Sequence, residues 1–191
     1  YDENPTLGLI KDPGAPVSEY SAVSLTKSSV TNGSITAESS YKKDSTASIS
    51  VTPSSGYAFS AWSGDASGSD NPLSLTMDSN KTVGATFTKD TADTDDDGFS
   101  NYDELITYST NPADNTSYPT RTLTAEAATN GLITSTATHK LNTTTTVTAV
   151  PASGYLFTAW TGASTGTDNP LSLTMDSAKT LGATFTKDTA D

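Results

Sequence analysis

Apolar residues along most of this chain fall at every second position, with serine or threonine between them. Ala47, Ile49 and Val51 alternate in this way, as do Leu73, Leu75 and Met77, and again Val83, Ala85 and Phe87. A period of two places each trio on one face of an extended strand. The hydroxyl residues in between suit the solvated face, and threonine's branched Cβ favours the pleat. Asn32-Gly33, Pro53-Ser54-Ser55-Gly56, Asp70-Asn71-Pro72 and Asp78-Ser79-Asn80 break the alternation with residues that form turns. No helical period runs through this region. Five or six short strands within residues 21–88 predict a small all-β module, either a sandwich of two sheets or a grasp-like sheet.

The same pattern returns further along. Gly56-Tyr57-Ala58-Phe59-Ser60-Ala61-Trp62-Ser63-Gly64 recurs as Gly154-Tyr155-Leu156-Phe157-Thr158-Ala159-Trp160-Thr161-Gly162, 98 positions on. The displacement holds without a gap from Tyr20 and Tyr118 to Asp93 and Asp191. Five segments follow. Residues 1–20 form an extended linker or the tail of a preceding repeat, 21–88 a first β module, and 89–118 a linker. Residues 119–186 form a second module, and 187–191 begin a next linker. Pro5, Pro13 and Pro16 argue for an extended first segment, with Thr6–Lys11 as an alternative strand on a sheet edge. Tyr1-Asp2-Glu3 repeats Tyr102-Asp103-Glu104, and Lys187–Asp191 repeats Lys89–Asp93, so the chain is expected to be a piece of a longer tandem array.

Between the modules the alternation gives way to DTDDDGFSNYDE, Asp93 to Glu104. Carboxylates stand at Asp93, Asp95 and Asp97, followed by Gly98 and, after five residues, by Glu104. Every fixed position of the calcium-loop pattern D-x-[DN]-x-[DN]-G-x5-E is filled. A hard cation of that size takes about six to eight oxygens. Alternate residues of a curled loop aim Asp93, Asp95 and Asp97 at one point, and Gly98 permits the sharp turn. The Phe99 carbonyl, the Asn101 side chain or a water on it, and both oxygens of Glu104 complete the predicted calcium (Ca2+) site. The simpler alternative is a solvated acidic linker, but such runs rarely place the glycine and closing glutamate in register. Asn101 to Tyr108 carries good helix formers and sets Leu105 and Tyr108 on one side, so one short helix is expected after the loop. The incoming Thr82–Lys89 alternates as a strand, so the loop has a helix on one side only.

Composition narrows the function. With 22 acidic against 10 basic residues and a net charge of −12, the chain is poorly suited to nucleic acid, which requires a basic surface. About a third of the residues are Ser or Thr, and there is no cysteine to form disulfides or do thiol chemistry. No apolar run approaches the ~20 residues of a membrane-crossing helix. The single histidine, His139, is matched by Tyr41 in the first module, and Asp65 by Ala163, so neither belongs to a site that both modules share. Nucleophilic catalysis lacks its components, and no enzyme is expected. Trp62 and Trp160 are either sugar-stacking platforms or, as the scarcity of large apolar residues favours, core anchors.

Two resemblances refine the expectation. The Asn32-Gly33 turn, the Gly56–Trp62 run and Lys81-Thr82-Val83-Gly84-Ala85-Thr86-Phe87 resemble divergent internalin-type B repeats of bacterial surface proteins. The loop, its single helix and the trailing Thr110-Asn111-Pro112 resemble the half EF-hand calcium repeats of dockerins and thrombospondin type 3 modules. Ser109 stands where those repeats usually have glycine. Together the resemblances imply an extracellular structural protein of the bacterial cell surface, a calcium-stiffened stalk, fibre or filament. Its partners would be neighbouring repeats of its own kind, extending to a homopolymeric fibre. The alternative is an adhesin or carbohydrate-binding accessory module with surface glycans as ligands. Neither reading involves nucleic acid or membrane insertion.

Overall fold

The computed structural model describes residues 21–135 and 137–189. Sequence expectations for residues 1–20 and for Asp191 lie outside them. The chain separates into two compact units that meet in sequence between Thr88 and Lys89.

The first unit has seven strands: β1 (Ala22–Lys27), β2 (Gly33–Thr36), β3 (Ser40–Lys42), β4 (Ser45–Pro53), β5 (Tyr57–Gly64), β6 (Leu73–Met77) and β7 (Lys81–Lys89, which runs one residue past the boundary). They form a four-stranded sheet in the order β3-β1-β7-β5 and a three-stranded sheet in the order β2-β4-β6. β1 pairs antiparallel with β3, Val23 opposite Tyr41, and parallel with β7, Leu25 opposite Lys81. The core draws on both sheets: Val23 and Leu25 from β1, Ala47, Ile49 and Val51 from β4, Trp62, Met77, Val83 and Phe87. The module is therefore a two-sheet sandwich, whose four-stranded sheet sets its first and last strands parallel at the centre in a grasp-like order. The alternating trios lie as the period of two requires, with Ala47, Ile49, Met77 and Val83 fully buried.

The second unit repeats this plan with β8 (Thr120–Ala125), β9 (Gly131–Thr134), β10 (Thr138–Lys140), β11 (Thr144–Pro151), β12 (Tyr155–Gly162), β13 (Leu171–Thr174) and β14 (Lys179–Lys187). Its sheets run β10-β8-β14-β12 and β13-β11-β9, around Leu123, Val147, Ala149, Trp160, Leu173, Met175 and Leu181. Seven strands stand where five or six were expected. β3 and β10 have only three residues each and no apolar trio, and their place is set by backbone pairing with β1 and β8.

Ahead of β8 lies the acidic segment, which belongs to this second unit. Its one helix, Asp103–Tyr108, has the wide π winding. Ser100 Oγ accepts the Asp103 N–H at 3.1 Å and donates to Asp103 Oδ2 at 2.9 Å, which holds the helix start. Ser109 ends it in the left-handed region (φ 59°, ψ 41°) and donates its N–H to the Glu104 carbonyl. A serine thus adopts the conformation for which glycine was the expected residue.

Candidate metal centre

Alternate residues of the loop curl inward. Asp93 and Asp95 are half-buried and Asp97 is buried, while the intervening Thr94, Asp96 and Gly98 face solvent. One carboxylate oxygen from each of Asp93, Asp95 and Asp97 lies within 4.8 Å of the others. The loop's own backbone enforces this. Asp93 accepts the Asp97 N–H at 3.1 Å and the Gly98 N–H at 2.8 Å, and Asp97 Oδ1 accepts the Phe99 N–H at 2.9 Å. Gly98 sits at φ 93°, with nothing within 4 Å of where a Cβ would stand. Its requirement is conformational rather than steric.

Glu104 is turned inward from the helix and fully buried. Thr110 Oγ1 donates to its Oε1 at 3.2 Å. Burial above all, then the charge of Asp95, with smaller contributions from Asp97 and Asp93, raises its pKa above the ordinary value, and the Thr110 hydroxyl opposes the rise. Among the described residues, Asp95 Oδ2, Asp97 Oδ2 and Glu104 Oε2 are buried side-chain oxygens with no hydrogen-bond partner. Withdrawing such oxygens from water without compensation is costly. The oxygens that lie within 4.8 Å of one another are those of Asp93, Asp95 and Asp97, a cluster of the donor type that a hard cation takes, and Glu104 stands on the helix outside that group.

The remaining predicted ligands fall differently. Asn101 ties the segment together: its Oδ1 accepts the Thr94 N–H at 3.2 Å and its Nδ2 donates to Asp90 at 2.8 Å. Phe99 packs its ring against Tyr108, centroids 5.6 Å apart. Leu105, expected on the same side as Tyr108, is 37 % exposed. The wide winding offsets residues three apart, and Glu104 takes the inward position.

Sequence reasoning did not single out Lys140 of β10, whose Nζ donates to the Asp97 carbonyl and lies 4.0 Å from Asp97 Oδ2. One signal was available: the lysine recurs 98 positions earlier as Lys42, in a chain with only 10 basic residues.

The other candidates have structural roles. Trp62 and Trp160 are 4 % and 2 % exposed, and each indole N–H donates at 2.7 Å to a backbone carbonyl, of Asp70 and Asp168 respectively. Neither offers a face to a sugar ring. His139 is half-buried in β10 opposite Arg121. Asp78 and Asp176 hold Lys81 and Lys179 at 2.7 and 2.8 Å, and these contacts lower both carboxyl pKa values.

A family model described as divergent InlB B-repeat domain matches residues 23–91 and 121–189. The chain belongs to this family. No curated protein and no solved structure matches it. The two B-repeat matches are offset by the same 98 positions as the internal repeat and cover both sandwiches. Tandem B-repeats of this type make it a surface-repeat protein, and the matches carry no catalytic family. The acidic loop lies between the two B-repeats, so its chemistry rests on its own geometry. No helix among the described residues is long and apolar enough to cross a membrane.

Proposed function

We propose that this is an extracellular structural protein of the bacterial surface, without enzymatic activity, in which calcium bound by the loop between two B-repeats stiffens the chain into a stalk or filament. Asp93, Asp95, Asp97 and Glu104 provide the carboxylates, with the Phe99 carbonyl as a further donor. Asn101 contributes as a brace across the loop or through a bridging water, in a segment that resembles half EF-hand linkers of the dockerin type. The observation that carries the reading is the set of three buried oxygens on Asp95, Asp97 and Glu104 that have no hydrogen-bond donor. Calcium is favoured over magnesium because a flexible, carboxylate-rich loop meets its loose coordination more readily than a strict octahedron.

The ion offsets the mutual repulsion of these carboxylates and orders the segment between modules in the same step. Free calcium at a hundred times Kd adds about 2.7 kcal/mol to the stability of whatever it orders. Repeated along an array, ordered linkers make an extended assembly whose partners are neighbouring copies of the same repeat.

Titration calorimetry of the native chain and of the D95A/E104A double variant tests the site, with heat of calcium binding expected only from the native protein. Small-angle scattering with calcium and then with chelator tests the stiffening. Identical scattering curves in the two conditions exclude it, whatever the calorimetry shows.

A further inference from the structure

The acidic loop is held to the second sandwich by more than chain connectivity. Lys140 closes β10, and besides its hydrogen bond to the Asp97 carbonyl its ammonium rests over the Tyr118 ring at 4.4 Å and near the Phe99 ring at 5.4 Å. Its side chain is 24 % exposed. Beside it, Leu141 is buried yet lies outside the hydrophobic cluster of that module. Their counterparts 98 positions earlier, Lys42 and Lys43, are both exposed. The same strand end in the same fold is therefore covered in the unit that carries the loop.

Asp97 is shared between two tasks. Its Oδ2 is one of the buried oxygens without a hydrogen-bond donor, 4.0 Å from the Lys140 ammonium, and its backbone carbonyl is the acceptor for Lys140. We propose that Lys140 is a positioning residue that couples cation occupancy of the loop to the stability of the sandwich that follows it. The inference rests on the loop taking a divalent cation, as proposed above. Without the ion, repulsion among Asp93, Asp95, Asp97 and Glu104 spreads the loop and turns the Asp97–Gly98 peptide, so its carbonyl leaves the ammonium. With the ion, Asp97 is fixed and the carbonyl is presented to Lys140. Lys140 is built into the β8–β10 ladder, where Thr138, His139 and Lys140 pair with Thr122, Arg121 and Thr120. Ordering of the loop thus reaches backbone hydrogen bonds of the sheet. Linkage makes the effect reciprocal, since whatever the ion adds to the ladder the ladder returns to the ion.

Hydrogen exchange followed by mass spectrometry, on the full chain with calcium chloride or with chelator, tests this on the native protein, K140M and K140R. Methionine keeps an apolar stem against the Tyr118 ring and removes the donor, whereas arginine keeps a donor and a stacking cation. In the native chain, calcium is expected to slow exchange in peptides covering 93–104 and also in those covering β8 and β10, the latter by roughly fivefold or more. In K140M the loop peptides retain their slowing and the β8 and β10 peptides lose it, and K140R restores it. Slowing of β8 and β10 in K140M equal to the native effect overturns the proposal. So does a native chain in which the loop slows and the ladder does not. K140M that binds no calcium by calorimetry makes Lys140 part of the site and overturns it too. A native loop that never slows removes the cation reading itself, and this inference with it.

Discussion

The two sandwiches hold the same fold 98 residues apart, and the positions at which they differ are as informative as those at which they agree. Agreement is concentrated where geometry leaves no alternative. Each module buries one tryptophan whose indole donates to the carbonyl of the aspartate eight residues on. Each uses one asparagine, Asn71 or Asn169, to satisfy both backbone groups of a β4 or β11 residue, Val51 or Ala149. Each places a glycine, Gly33 or Gly131, under a phenylalanine ring, where an added Cβ would stand 2.3 Å from Phe87 or 2.5 Å from Phe185. Differences at exposed positions change chemical type. The cross-strand pair Ser34–Thr52 becomes Leu132–Val150, whose members are 54 % and 42 % exposed. A residue that must close a hydrogen bond or allow a close approach is held, whereas buried aliphatic positions exchange for one another, as Ile49 does for Val147, and one that meets only water is free to change.

Three kinds of substitution test that division. The largest effect is expected from Trp62→Ala or Trp160→Ala, each costing its own module ~3–5 kcal/mol. Calorimetry would show one transition falling, and the fluorescence of the remaining tryptophan would report the other module unchanged. Equal costs in the two modules would show that the shared burial sets the energy. Next come Asn71→Ala and Asn169→Ala, which remove both side-chain hydrogen bonds to the strand and cost about 1–3 kcal/mol by denaturant unfolding. If either proved neutral, the recurrence of that asparagine would need another explanation. The smallest is the exchange of surfaces, L132S/V150T, expected within about 0.5 kcal/mol of the native chain by the same measurement. A loss of several kcal/mol would mean that the pair is covered in the folded protein.

Much of this was legible in the chain itself. Period-two alternation named the inward residues of β4, β6 and β7, because a strand's two faces are fixed by its covalent geometry. The positions of Asp93, Asp95, Asp97, Gly98 and Glu104 were likewise readable, since a tight loop turns spacing directly into direction. Contacts between distant residues were not readable. Lys140 is 43 residues from Asp97, and only the β8–β10 register brings it there. Asn101 could be placed in the loop by its number, but its use as a brace to Thr94 and Asp90 depends on backbone positions that a spacing rule does not specify. Leu105 was misplaced because a helical period was assumed where the winding is wider.

β7 and β14 read KTVGATFTK and KTLGATFTK, and they differ only at Val83 and Leu181. Both positions are fully buried. During folding, each of these strands is therefore the other's nearest impostor, tethered on the same chain at high local concentration, and tandem repeats commonly misassemble in this way. An exchanged β14 would force leucine into a space shaped for valine, at about 1–3 kcal/mol of overpacking. An exchanged β7 would leave a gap costing about 1 kcal/mol. One methylene at the centre of each sheet thus marks which strand belongs to which half of the chain.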